Sequence, residues 1–184
     1  MNWILEILNN SALSALLGAF AAFLLVMVTD FIRSWKIKTD IDKMLKANKE
    51  LLRQKLEAVI SYKQSLESGT LVGDRLTPFS SDEITQLKLK AVKRFSKKEL
   101  AVLQSICFNM EILDEMISNA ANTSERIREN PDGDHTNRVE YISNLYNDLV
   151  PNLRRFDEMI DDYLNGQLEK VITQNYNRDD YLDN

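Results

Sequence analysis

Residues 11–29 read SALSALLGAFAAFLLVMVT, nineteen positions without a charged side chain. At 1.5 Å rise per residue, a helix of this length reaches roughly 28 Å, close to the ~30 Å hydrocarbon core of a bilayer. Phe31 and Ile32 extend its apolar surface. Buried helices of soluble proteins seldom run this long without a polar residue beyond Ser, so the stretch predicts one membrane-spanning helix over 11–32.

The flanks orient it. Before the run the only charge is Glu6, and no basic n-region, short apolar core and small-residue cleavage site mark a cleavable signal peptide. After it come Arg33, Lys36, Lys38, Lys43, Lys46 and Lys49. A Lys/Arg excess belongs on the cytoplasmic side, which predicts an inner-membrane, single-pass topology with residues 1–10 outside and the remainder in the cytoplasm. Arg33, Lys36, Lys38, Lys43 and Lys46 are the expected contacts with anionic lipid headgroups. Trp3 and Trp35 bracket the run as expected interface anchors, since an indole places its apolar body and wet edge at headgroup level.

Charge also divides the rest of the chain. The net charge is −5 overall, but residues 1–98 carry 16 Lys/Arg against 10 Asp/Glu, whereas residues 99–184 carry 7 against 18. The basic half adjoins the predicted span and the acidic half follows it. Lys88, Lys90, Lys93, Arg94, Lys97 and Lys98 form a second basic cluster around Phe95. No nucleic-acid motif accompanies it in an acidic chain, so it reads as a solvated face or a partner for acidic helices, and nucleic acid is not assigned as a ligand. The single cysteine, Cys107, lies between Ile106 and Phe108 in an apolar helix and reads as a small buried hydrophobe.

Beyond the span, helical periodicity predominates, with three prolines and five glycines in the whole chain. Ile37, Ile41, Leu45, Leu52, Leu56, Val59 and Leu66 mark one stripe, interrupted at inward steps by Asn48 and Lys63. SGTLVGDRLTP at 68–78 breaks it. Ser80 with Glu83, and Ser96 with Glu99, each have the spacing of a capping box opening a helix. The first would bury Ile84, Leu87, Ala91, Val92 and Phe95. The second would bury Leu100, Leu103, Ile106, Met110, Leu113, Ile117 and Ala120.

After Asn130–Asp134 the clearest stripe follows: Val139, Ile142, Tyr146, Leu149, Leu153, Phe156, Ile160 and Tyr163. Pro151 interrupts it and predicts a kink over 147–150, and Gly166 predicts a stop before a short last helix. The expected fold class is all-α: a single N-terminal transmembrane helix continuing into a stalk, followed by a cytosolic antiparallel three- or four-helix bundle. The expected boundaries are an extracytoplasmic N-terminus at 1–10, the transmembrane helix at 11–32, a basic juxtamembrane stalk at 33–67, a loop at 68–79, the bundle at 80–174 and an acidic tail at 175–184.

No catalytic template fits. His135 is the only histidine, which excludes His-containing triads and two-histidine metal sites within the chain. Glu111, Asp114 and Glu115 on one helix and Asp157, Glu158, Asp161 and Asp162 on another could meet across a bundle. The ferritin-like pattern nevertheless requires Glu-x-x-His pairs, which are absent. These acids read as salt-bridged or solvated groups at core edges. No glycine-rich phosphate loop is present, and Cys107 lacks a histidine partner. The expectation is no enzyme, no cofactor and no metal.

Two functional expectations remain. The first is a membrane-anchored helical protein-interaction module serving as anchor, adaptor or regulator, with Asp157, Glu158, Asp161 and Asp162 as the surface for an unidentified, basic protein partner. The second is a membrane-active effector, such as a toxin, holin-like or anti-phage protein. It would form a homo-oligomer through Ser14, Gly18 and Ala22, which recur every four residues in the small-x-x-x-small pattern. In organisation alone the layout is similar to that of small bacterial and phage membrane proteins.

Overall fold

The computed structural model describes residues 11–130 and 133–179, and among these the chain is all-helical with no strand. The helices are α1 (Ser11–Glu67), α2 (Ser81–Lys90), α3 (Lys97–Glu129), α4 (Thr136–Leu164) and α5 (Leu168–Asp179), with a 3-10 turn over Val92–Arg94. The chain divides into two compact units, Met1–Asp40 and Ile41–Asn184.

In the first unit α1 begins within a run that has no helix breaker to stop it. Its hydroxyls are satisfied by the helix itself: Thr29 Oγ1 donates to Leu25 O at 2.8 Å and Ser34 Oγ to Asp30 O at 2.7 Å. At the far end of α1, Gly69 adopts φ +80°, its N–H reaches Leu66 O at 3.0 Å and Thr70 N–H reaches Ser65 O at 2.8 Å. This is a Schellman stop, which needs the left-handed residue that glycine supplies without a Cβ penalty. Gly166, at φ +74°, ends α4 in the same way through Gly166 N–H to Tyr163 O at 2.9 Å and Gln167 N–H to Asp162 O at 2.7 Å.

In the second unit, α3 and α4 make the most extensive helix pair, with α2 on α3 and α5 against both. Near one end of the pair Asn109 Nδ2 approaches Met159 Sδ at 3.8 Å, and farther along α3 Ser124 lies beside Tyr146, so the two helices run in opposite directions. The second part of α1 meets α4 through Lys49, which pairs with Asp157 and Asp161, and through Tyr62, whose ring lies 6.3 Å from that of Tyr146. The core is built from Ile41, Leu45, Leu52 and Val59 of α1, Leu103, Ile106 and Met110 of α3, and Ile142, Leu149, Leu153 and Ile160 of α4, all at most 1 % exposed.

Several expectations change in detail. In α1 the buried steps after Leu52 fall on Lys55 and Val59, and Leu56 is only half-buried. The register is unbroken, and the three-residue step from Leu52 places Lys55, rather than Leu56, inside, where Asp114 accepts its charge. Asn48 is buried as expected, whereas Lys63 is half-buried. Val139 is exposed, since it lies in the first turn of α4, before that helix reaches the core. Val92 is exposed too, because α2 ends at Lys90 and the 3-10 turn changes the register. Cys107 is 1 % exposed. The helix α4 extends from Thr136 to Leu164 with Pro151 inside it, and α5 reaches into the stretch expected to be a tail.

Candidate functional site

The first candidate is the apolar surface of α1. Every large apolar side chain from Leu16 to Ile32 is 45–70 % exposed, and none of the most apolar window is buried by the rest of the chain. Monomeric soluble proteins rarely leave a continuous apolar patch of this extent to water. One helix, near the N-terminus, is therefore long and apolar enough to cross a membrane.

Around this surface the expected residues fall as follows. Trp35 is 67 % exposed on α1, and Trp3 lies outside the described residues. Arg33, Lys36 and Lys38 are exposed on the first unit, and Lys43 and Lys46 are exposed on the second. Ser14, Gly18 and Ala22 share one face of α1 by their spacing, and a Cβ added to Gly18 would meet nothing within 4 Å.

The acidic quartet is largely engaged within the chain. Lys49 Nζ lies 3.4 Å from Asp157 Oδ1 and also pairs with Asp161, and Lys170 Nζ lies 3.7 Å from Asp162 Oδ1. Glu158 is exposed. Asp114 is drawn to a different lysine, Lys55. Among the described residues no group of three or more His, Cys, Asp or Glu side chains is placed to hold a metal ion.

A second constellation was not anticipated from sequence. Lys55, 1 % exposed, donates from Nζ to Asp114 Oδ1 at 2.7 Å and sits 4.4 Å from the centre of the Phe79 ring. Phe79 N–H donates to Asp114 Oδ2 at 2.7 Å, and Ser80 N–H to Asn48 Oδ1 at 2.9 Å. Asn48 returns its amide to Met44 O at 2.8 Å. A buried ammonium needs a counter-charge, and orphan N–H groups before a helix need acceptors. Asp114 of α3 supplies the counter-charge and one acceptor and Asn48 of α1 the other, fastening the segment that precedes α2. The signal lay in spacing: Ile41, Leu45, Asn48, Leu52, Lys55 and Val59 alternate steps of four and three.

Beside the pair is a half-open cleft of about 260 Å³, also lined by Arg75, Leu76, Pro78, Ile117 and Ser118. Both oxygens of Asp114 are already committed, one to Lys55 and one to Phe79. Further along the same loop Arg75 reaches Asn122 Oδ1 at 3.2 Å and Glu125 Oε2 at 3.5 Å, and Tyr146 OH donates to Val72 O at 3.3 Å. Arg128 donates to Gly73 O at 3.2 Å. The loop over 70–80 is thus a fastened strap.

The remaining polar singletons carry structural roles. Burial pushes the Cys107 thiol up, opposed by a hydrogen bond with Thr85, so it is held as the unreactive thiol. A ring nitrogen of His135 faces Asn130 O within its own loop, and Asp134 Oδ1 accepts from Thr136 N–H at 3.1 Å and from its hydroxyl at 2.8 Å. Those bonds hold the Asp134 carboxyl below its usual pKa. Compared with known proteins, the chain matches no family model, no curated protein and no solved structure.

Proposed function

We propose that this chain is a single-pass, inner-membrane protein whose C-terminal helices form a cytosolic antiparallel bundle, serving as an anchor, adaptor or regulator through protein interaction. The observation that carries the membrane reading is the unburied apolar surface of α1 from Leu16 to Ile32. The Lys/Arg excess after it gives the orientation, with the N-terminus outside. The interaction role is supported by a helical core fastened through Lys55 and Asp114, with Lys49 paired to Asp157 and Asp161 and, at the surface, Lys98 to Glu169.

The partner surface of this reading is narrower than the acidic quartet. Glu158 remains exposed, whereas Asp157 and Asp161 serve Lys49. In-cell crosslinking from Glu158 and its exposed neighbours on α4, followed by identification of the captured protein, tests it. A specific crosslink that disappears with a charge reversal at Glu158 supports a partner there. Capture unaffected by that reversal removes α4 from the interface.

The effector reading has one favourable observation, the open Gly18 position on a small-residue face. Expression beside a membrane-potential dye separates the two readings. Depolarisation by the wild-type chain and none by Gly18→Ile, at equal membrane abundance, makes the span the active element. An undisturbed potential in both leaves the span as an anchor.

A further inference from the structure

The corner joining α2 to α3 has the sequence KLKAVKRFSKK over 88–98, six cations and no acid. The structure sorts these cations. Lys88 is 6 % exposed and bonds Gln104, and Lys98 pairs with Glu169. Glu99 is occupied by the N-terminal cap of α3. Lys90, Lys93, Arg94 and Lys97 are left exposed, with no acidic partner among the described residues.

Two apolar residues fix how the corner is presented. Ala91 and Phe95 turn inward, at 4 % and 8 % exposure, and the backbone is closed by Ala91 N–H to Lys88 O and Arg94 N–H to Ala91 O. With those positions held, Leu89 and Val92 project outward, 65 % and 45 % exposed, among the free cations. A ligand offering only phosphates would use the charges and leave both apolar side chains in water. An anionic bilayer surface accepts both, charge at the headgroups and apolar groups just beneath.

The corner also lies at the end of the second unit where the chain enters it. Asp42 and Glu99 both act on the Tyr163 hydroxyl, which places the second residue of the unit and the first turn of α3 together. Nine residues of chain lie between Ile32 and Asp42, so the two are at most ~36 Å apart.

We propose that this corner is a second membrane contact, in which Lys90, Lys93, Arg94 and Lys97 rest on anionic headgroups while Leu89 and Val92 enter the interfacial layer. It rests on the membrane reading of α1 given above. Each near-surface cation contributes roughly fivefold in membrane affinity, so the four together separate anionic from neutral lipid decisively.

The test places an environment-sensitive dye on Val92→Cys in the full-length chain, with Cys107 shielded by its burial. The labelled chain is reconstituted in nanodiscs of phosphatidylcholine alone or with phosphatidylglycerol. A blue shift in the anionic discs is expected, lost at high salt and in a variant carrying Lys90→Gln, Lys93→Gln, Arg94→Gln and Lys97→Gln. Circular dichroism of that variant checks its fold.

Equal emission in both lipids overturns the proposal, as does a shift that survives the four substitutions. A shift produced by an added oligonucleotide in neutral discs, and by no lipid, assigns the corner to nucleic acid instead. Failure of the chain to enter either disc overturns the membrane reading itself, an outcome distinct from insertion without a dye response.

Discussion

Lys55 Nζ and Asp114 Oδ1 meet at 2.7 Å, with the lysine side chain 1 % exposed and the aspartate 22 %. The relationship is asymmetric, because Asp114 also accepts from Phe79 N–H whereas Lys55 depends on Asp114 for its counter-charge. Replacing Asp114 by Ala strands a buried cation and should cost about 3–5 kcal/mol. Lys55→Met leaves Asp114 with Phe79 and should cost under ~1.5 kcal/mol. Denaturant unfolding of the two variants in detergent checks this, and equal losses would contradict the asymmetry.

Ser96 and Ser80 make a second contrast. Ser96 Oγ accepts from Glu99 N–H at 3.1 Å and Glu99 Oε2 from Ser96 N–H at 2.8 Å, while Ser80 makes no side-chain cap. Ser96→Ala should cost about 1 kcal/mol and Ser80→Ala a few tenths at most. Thermal unfolding of the pair decides it, and comparable shifts in Tm would show that the two serines contribute alike.

Gly73 is tightly enclosed. A Cβ there would stand 2.8 Å from Ser124 Oγ and 3.1 Å from Tyr146 OH. Gly73→Ala should therefore destabilise by about 1–3 kcal/mol, and Ser124→Ala should recover part of the loss by removing the nearest atom. A double-mutant cycle measures the coupling, and strict additivity would show that Ser124 Oγ is not what opposes a Cβ at position 73.

Tyr163 gives the chain an alkaline limit. Its hydroxyl is buried and among the described residues has no hydrogen-bond partner; burial first, then Asp42 and Glu99, push its pKa well above the usual tyrosine value. The unfolded chain releases this proton near pH 10.0, while the folded chain retains it. The contribution is complete below that pH and is lost as the pH rises above it. Tyr163→Phe should be neutral or stabilising at pH 7 and should flatten the alkaline fall. Parallel pH profiles for wild type and variant would remove Tyr163 from that limit.

Much of this architecture was legible because the determinants were local. Nineteen uncharged residues, the Ser96/Glu99 box and the steps from Ile142 to Ile160 each specify structure from their own neighbourhood. Ser80 was misread because the strap is fastened from outside: Asn48 and Asp114 take the N–H groups at 79 and 80, and Ser80, at φ −86° and ψ 47°, is not in the extended cap geometry. Residue type favours Leu56 as the inward step after Leu52, but the register of the buried positions selects Lys55. The fate of Asp157 and Asp161 could not be read at all, since Lys49 lies more than a hundred positions away in sequence.

The central claim is that α1 crosses the membrane. Full-length chain and a truncation comprising residues 41–184 are expressed side by side, and membranes are washed with alkaline carbonate. With α1 in the bilayer, the full-length chain stays in the washed pellet while the truncation is recovered in the soluble fraction. Full-length chain released by the wash, or a truncation retained as firmly as the whole, would contradict it.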